Sequence, residues 1–351
     1  MPFAQRRARV RDALDAALAR PAAVFTDLSD IRYLTGFSGS NAVLVVGADP
    51  ADDLLATDGR YEVQVAAQCP GLPVLIDRAT FAAVGRHVAQ WTIVADERVS
   101  VADARLLPAS TTFLPSLVTD MRMRKDPGEL ALIATACSIT ARAMTELAGT
   151  IRAGQTEVSI ARRLEALFAE GGADERAFET IVASGPNTAV PHHQPGPREL
   201  SPGDLVVIDA GAKVQGYCAD MTRTFVVGEP ADWQVRVHAD VLAAQQAASR
   251  AYLPGTPCQE IDSIAREALR ERGWDKEFGH GLGHGLGLDI HEAPMVAARP
   301  TGSIDADMAI TVEPGVYLPG RGGVRIEDTL AVTSAGPVVL TEASRDLIRV
   351  G

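Results

Sequence analysis

Two stretches of this chain end an unbroken apolar run in a carboxylate, and each is followed by a run that brings a second carboxylate back. Leu205-Val206-Val207-Ile208-Asp209 reads as a strand buried on both faces, and residues 219–225 return with Asp220. Ala309-Ile310-Thr311-Val312-Glu313 repeats the pattern, and residues 323–329 return with Glu327. A first hairpin centred between Val214 and Gln215 sets Asp209 opposite Asp220, and a second centred on Gly320 sets Glu313 opposite Glu327. Facing residues of an antiparallel pair share a side, with Cβ atoms about 5 Å apart. Carboxylates closed together on a buried face repel one another and lose hydration, so they need a cation or a shared proton.

Between these hairpins lies a segment that supplies a different ligand. Residues 279–292 read GHGLGHGLGLDIHE, with His280, His284 and His291 in a chain of only seven histidines. The alternating glycines let backbone approach another group closely. His192 and His193 follow Pro191 further upstream. Four acids and a clustered imidazole describe one dinuclear metal site.

The rest of the chain organises around that site. A charged stretch with a Pro-Gly breaker near residues 121–127 marks a boundary, giving domains 1–122 and 123–351. The first domain alternates a helix over 4–20 with strands near 23–26, 42–46, 54–57, 74–76 and 92–95, and helices near 60–68, 79–89 and 100–107, an α/β pattern. The second opens with helices over 128–150 and 156–172. It carries a faint internal repeat, since Gly154-Gln155-Thr156-Glu157 recurs as Gly255-Thr256-Pro257-Cys258 at an offset of 101 residues. Each copy leads into one of the hairpins. Two helix–helix–strand–hairpin halves then form an α+β domain with the site in the cleft between them.

Composition narrows the function. The chain has 33 basic and 45 acidic residues, a formal net charge of -12. That balance disfavours nucleic acid and anionic lipid as partners. No continuous apolar run reaches the roughly 18 residues of a membrane helix. Cys69, Cys137, Cys218 and Cys258 lie far apart without metal-binding spacing, which fits a reduced cytoplasmic protein, and Cys218 is expected to be a buried thiol.

The segments VVIDAG (206–211), ADMTRTF (219–225), GHGLGHGLGLDIHE (279–292), TVEPGVY (311–317) and GVRIEDT (323–329) together resemble the signatures of the pita-bread metallopeptidases. Within them the chain is most similar to the Xaa-Pro branch, the prolidases and aminopeptidases P. IRYLTGFSGSNAVLVV (31–46) resembles that branch's N-terminal domain of the creatinase/prolidase type. The resemblance implies a pita-bread catalytic domain and Asp209, Asp220, His284, Glu313 and Glu327 as ligands of two divalent ions. Four carboxylates balance two such ions in charge. Oxygen-rich ligation with one imidazole favours Mn²⁺ and tolerates Co²⁺ or Zn²⁺.

The resemblance also implies roles. Water between the ions is the nucleophile, Glu313 shuttles its proton, and His192 and His291 hold the substrate carbonyl. His280 lines a proline pocket. Arg325, two residues before Glu327 and so on the same side of its strand, is expected to orient a carboxylate. The substrate is an Xaa-Pro peptide, and the protein is expected to form a homodimer. A dipeptidase is favoured over an aminopeptidase P acting on longer peptides, and a non-catalytic pita-bread binding protein is the remote alternative. A dipeptide's free carboxylate needs a cation, for which Arg299 is the first choice and Arg60 the second.

Overall fold

The computed structural model describes residues 3–14 and 20–351. The chain divides into two units, Met1–Arg122 and Met123–Gly351. In the first, α1 (Phe3–Asp12) occupies part of the span expected from 4 to 20, of which residues 15–19 lie outside the described residues. There follow β1 (Pro21–Phe25), α2 (Leu28–Thr35), β2 (Ala42–Gly47), β3 (Leu54–Thr57), α3 (Glu62–Gln68), β4 (Val74–Ile76), α4 (Thr80–His87), β5 (Thr92–Asp96), α5 (Val101–Ala104), β6 (Thr112–Leu114) and α6 (Thr119–Met123). The six strands form one mixed sheet in the order β4-β3-β2-β1-β5-β6. Ala22, Val24, Val43, Val45, Val84 and Ile93 are buried in its core. The sequence gives no sign of α2. It is a short helix made by its ends: the Asp27 side chain accepts from the Asp30 amide, and Gly36 closes it at φ 81, a conformation that suits glycine.

The second unit is built twice over. Its first half runs α7 (Pro127–Ala148), α8 (Glu157–Glu170), β7 (Glu175–Arg176), β8 (Ile181–Ser184), β9 (Leu205–Ala210), β10 (Ala212–Val214), β11 (Tyr217–Cys218) and β12 (Met221–Val227). Its second runs α9 (Asp232–Ser249), α10 (Cys258–Arg270), β13 (Gly283–Gly285), β14 (Glu292–Val296), β15 (Ala309–Val312), β16 (Gly315–Leu318), β17 (Gly322–Arg325), β18 (Asp328–Thr333), β19 (Gly336–Val339) and β20 (Ile348–Val350). A capping box between Asp126 and Glu129, with Pro127 at the first helical position, starts α7. By length and composition α7 is apolar enough to cross a membrane. Here it is a core helix, with Ile133, Ala136, Cys137, Met144 and Leu147 buried.

The repeat extends to single hydrogen bonds. Gly154 (φ 84) donates to Leu200 O, and Gly255 (φ 90) to Ile304 O. Glu157 donates to Arg198 O, and Cys258 to Gly302 O. Each half builds a sheet, β12-β9-β8, to which β20 adds beside β12, and β14-β13-β15-β18-β19. The four cysteines are buried and unpaired.

The two hairpins differ in register from each other. Val312 pairs with Asp328 and Gly315 with Arg325, so Glu313 and Glu327 stand opposite each other in the short break between those pairs. This matches the centre at Gly320. The first hairpin corrects the sequence-based register by two residues. Asp209 pairs with Thr222, not Asp220, because the turn sits on Gln215-Gly216, both at positive φ. Lys213 then pairs with Cys218 and Val214 with Tyr217. A two-residue slip preserves the side of the sheet, so Asp220 stays on the face of Asp209, one step along the diagonal.

Candidate metal centre

Four acids and one histidine converge where the two halves meet. Asp209, Asp220, His284 and Glu327 are buried and Glu313 is partly so. His284 is set by its backbone on β13, where its amide donates to Thr311 Oγ1. Its Nδ1 donates to Gly285 O at 3.0 Å. The ring is neutral, because burial lowers its pKa to about 4. Its Nε2 lone pair therefore faces Asp220 Oδ2 at 3.6 Å and Glu313 Oε1 at 3.5 Å. Ligand atoms of Asp220, His284 and Glu327 lie within 4.8 Å of one another.

The lone pair of a neutral imidazole and the carboxylate oxygens repel one another, so a cation suits the space between them. Two further facts agree. Asp209 Oδ1 and Asp220 Oδ1 are buried without a hydrogen-bond partner. Burial, then the neighbouring carboxylates, push Asp220 and Glu327 well above the usual carboxylate range. Burial likewise pushes Glu313 up to about 8. A divalent ion relieves each of these costs at once.

Arg325 fastens the acids from behind. It is 3% exposed, and its Nη2 donates to Asp209 Oδ2 at 2.7 Å. Its Nε donates to Thr222 Oγ1, which in turn donates to Glu327 Oε2 at 2.7 Å. Its Nη1 reaches Pro191 O and the Tyr317 hydroxyl. The Tyr317 hydroxyl donates to His280 Nε2 at 2.8 Å, since His280 Nδ1 is engaged by Gly281 O. Burial lowers the His280 pKa to about 4, which keeps this ring neutral.

A cavity of about 790 Å³ opens onto these residues. His192, His193, His280 and His291 line it with the five candidate ligands and Arg325. The His291 and His284 ring centroids are 4.4 Å apart. Phe178, Ile181, Ile290 and Met295 provide apolar wall. Cys218 is the buried thiol expected, raised by burial to about 12.

The structure corrects the choice of Arg299. That residue is exposed in the connection between β14 and β15, apart from the cavity wall. Arg60 belongs to the first unit, where its Nε and Nη2 bind Asp58 at 2.8 Å. The arginines that do line the cavity are Arg162, Arg176 and Arg325. Nothing in the sequence pattern marks Thr222, Arg162 or Glu157 as belonging to the site. Tyr317 has one available signal: on an apolar strand a tyrosine brings a hydroxyl that must find a partner.

A pocket that brings buried acids and a neutral imidazole together, with histidines around them, is the working site of a metal-dependent hydrolase. The chain belongs to metallopeptidase family M24, whose model matches residues 131–334, and residues 6–122 match the creatinase/prolidase N-terminal domain. The Xaa-Pro dipeptidase of Pyrococcus horikoshii is 42% identical over 66% of this chain and 66% of that protein. The solved Xaa-Pro dipeptidase from Bacillus anthracis superposes with a TM-score of 0.94 at 32% identity, covering 99% of this chain and 100% of that one. An X-Pro aminopeptidase from Thermotoga maritima gives 0.88 at 35% identity, covering 98% and 100%. The fold is thus the expected pita-bread catalytic domain with a creatinase-type N-terminal domain, in the Xaa-Pro branch. The protein is a metallopeptidase that works with divalent metal.

Proposed function

We propose that this protein is an Xaa-Pro dipeptidase that hydrolyses the imide bond of Xaa-Pro dipeptides with two divalent ions. The observation that carries the reading is the approach of the neutral His284 imidazole to Asp220, Glu313 and Glu327, together with the unpartnered Oδ1 atoms of Asp209 and Asp220. Similarity to Xaa-Pro dipeptidases favours the dipeptide over longer peptides. These five residues would hold the ions, and an oxygen-rich donor set with one imidazole favours Mn²⁺. When bound, the ions would polarise the scissile carbonyl and acidify a water.

The chain's own groups do the rest. Glu313 takes a proton from the attacking water on a carboxylate oxygen and delivers it to the departing proline nitrogen. His192 and His291 donate hydrogen bonds to the carbonyl oxygen as negative charge builds there. His280, held by Tyr317, walls the proline ring, and Arg325 keeps Asp209 and Thr222 in place.

A dipeptide brings its own carboxylate into an acidic cavity and needs a cation there. Arg325 is committed to Asp209, and Arg176 to Glu165 and Glu179. Arg162, exposed on α8, is the cavity arginine with no carboxylate partner among the described residues. It takes over the clamp role assigned from sequence to Arg299.

The test is hydrolysis of an Xaa-Pro dipeptide and an Xaa-Pro-Yaa tripeptide by the parent and by Arg162→Ala. Chelation should abolish dipeptide cleavage and Mn²⁺ should restore it. Arg162→Ala should lower dipeptide kcat/KM by up to about 5-fold, the scale of losing an exposed ion pair. Tripeptide cleavage should be little changed. Failure of the parent to cleave any Xaa-Pro dipeptide, whatever the metal, would overturn the dipeptidase reading. Equal losses on both lengths would remove Arg162 from the clamp.

A further inference from the structure

Glu157 is the first residue of α8, yet it is 0% exposed. An acid in a helix's first turn gains from the macrodipole while remaining in water, so the helix does not require its burial. Its surroundings show another purpose. Oε1 accepts from the Ser184 amide at 2.8 Å, Ser184 Oγ at 2.7 Å and Asn187 Nδ2 at 2.9 Å. Oε2 accepts from His193 Nε2 at 2.8 Å and the Gly196 amide at 3.1 Å. The two oxygens thus hold opposite ends of one loop. Between those ends lie Pro191, His192, His193, Gln194 and Pro195, all on the cavity wall.

The bonding also settles which nitrogen of His193 donates. Burial would raise the Glu157 pKa, but hydrogen bonds from Asn187, His193, Ser184 and Gly196 outweigh it and leave the value below the usual range. An ionised carboxylate only accepts, so His193 donates to it from Nε2.

We propose that Glu157 is a positioning residue, which clamps both ends of the 184–196 loop and fixes the His193 tautomer, and so sets His192 at the reaction centre. The proposal rests on the peptidase reading for its activity assay alone.

Glu157→Gln separates the two ends. The amide oxygen can still accept at Ser184 and Asn187, but the amide nitrogen then meets the Gly196 N–H and His193, donor against donor. His193→Gln keeps a donor to Glu157, and His193→Phe removes it. The four proteins are compared, loaded with Mn²⁺, by kcat, KM, metal content and thermal midpoint. Long-range ¹H–¹⁵N spectra of the metal-free parent and Glu157→Gln report the His193 tautomer, with His193→Gln identifying the signal.

Glu157→Gln and His193→Phe should lower kcat about 10- to 100-fold, the usual range for a residue acting through a site group. KM and metal content should stay near parental. His193→Gln should recover most of kcat, and the His193 Nε2–H signature should vanish in Glu157→Gln. An unchanged tautomer, or parental kcat once the folded fraction is counted, would overturn the proposal. So would equal activity of His193→Gln and His193→Phe, which tests the contact even should Glu157→Gln not fold. A parent inactive on Xaa-Pro peptides would sink the peptidase reading, while the tautomer would still decide the role of Glu157.

Discussion

The two halves of the catalytic unit share a plan and diverge where chemistry is done. The 101-residue offset holds from Cys137 and His238 in the first helices, through Glu157 and Cys258, to Ala183 and His284 in the following strands. It rises to 104 between Asp209 and Glu313 and to 107 between Asp220 and Glu327. The second half thus has longer connections, before its first acid and within its hairpin. Each half supplies two carboxylates, but the imidazole ligand comes from the second alone, where the first has Ala183. Each half also buries an acid that holds its own histidine segment. Glu157 holds the His192–His193 loop directly, and at the corresponding place Cys258 is simply packed into the core. The second half uses Asp262 four residues further on, which binds Arg266, whose guanidinium reaches Phe278 O and His280 O. The same need is met by different residues in each half.

The largest expected effect concerns the residue that follows the last acid. Asp328 is 0% exposed and accepts from Arg223 Nη2 at 2.8 Å, Gln245 Nε2 at 2.7 Å and Thr341 Oγ1 at 3.0 Å, with Arg345 also bound. Arg223 belongs to the first half, so this pair joins the halves behind the site. Its counterpart at the 107-residue offset is Met221, a plain core side chain. Asp328→Ala leaves the Arg223 charge buried and should destabilise by about 3–5 kcal/mol. That corresponds to a midpoint lowered by about 10 °C. Met221→Leu should cost less than about 1.5 kcal/mol. Similar losses in denaturant titrations would erase the asymmetry between the halves.

Much of the site was legible because carboxylates at the ends of apolar strands are costly and therefore informative. Glu313 and Glu327 could be placed from spacing alone, since their connection is symmetric about Gly320. Asp209 and Asp220 came two residues out of register because Gln215-Gly216, not Val214-Gln215, makes the turn. The even slip left both acids on the correct face. Arg299 lies on an exposed loop, and the direction of such a loop is not written in its sequence. Glu157 was hidden by a commoner explanation, since acids in a helix's first turn usually serve the macrodipole. Its five donors are spread from Ser184 to Gly196, and only the folded chain gathers them.

A second expected effect sharpens the likeness between the two holding acids. Asp262→Asn weakens the seat of Arg266, which anchors the carbonyls on either side of Gly279. Dipeptide kcat/KM should fall about 10-fold. Amide exchange should quicken over residues 278–282 and stay parental over 184–196. Glu157→Gln should give the reverse pattern. If either variant loosens both segments alike, the halves are not held independently and the comparison fails at that point.

The smallest effect tests a difference inside the paired helices. His238 on α9 is 4% exposed, its Nε2 has no partner, and burial lowers its pKa to about 4. The opposing influence is Asp346, which raises it. The matching residue on α7 is Cys137, whose thiol is raised by burial to about 12 and so stays neutral through acid and neutral pH. The unfolded chain binds a proton at His238 with a pKa of about 6.5, and the folded chain only near 4. Between those values the unfolded state holds more protons, so this residue's contribution is complete above pH 6.5 and is lost as pH falls towards 4. At pH 5.5 the loss is on the order of 1 kcal/mol, from the pKa difference. His238→Met should remove this part of the acid sensitivity, so the gap between parent and variant stabilities should shift by that amount between pH 7.5 and pH 5.5. Urea titrations at the two pH values measure it. A constant gap would mean that His238 keeps its proton in the fold, and that the two helices are alike in their response to acid.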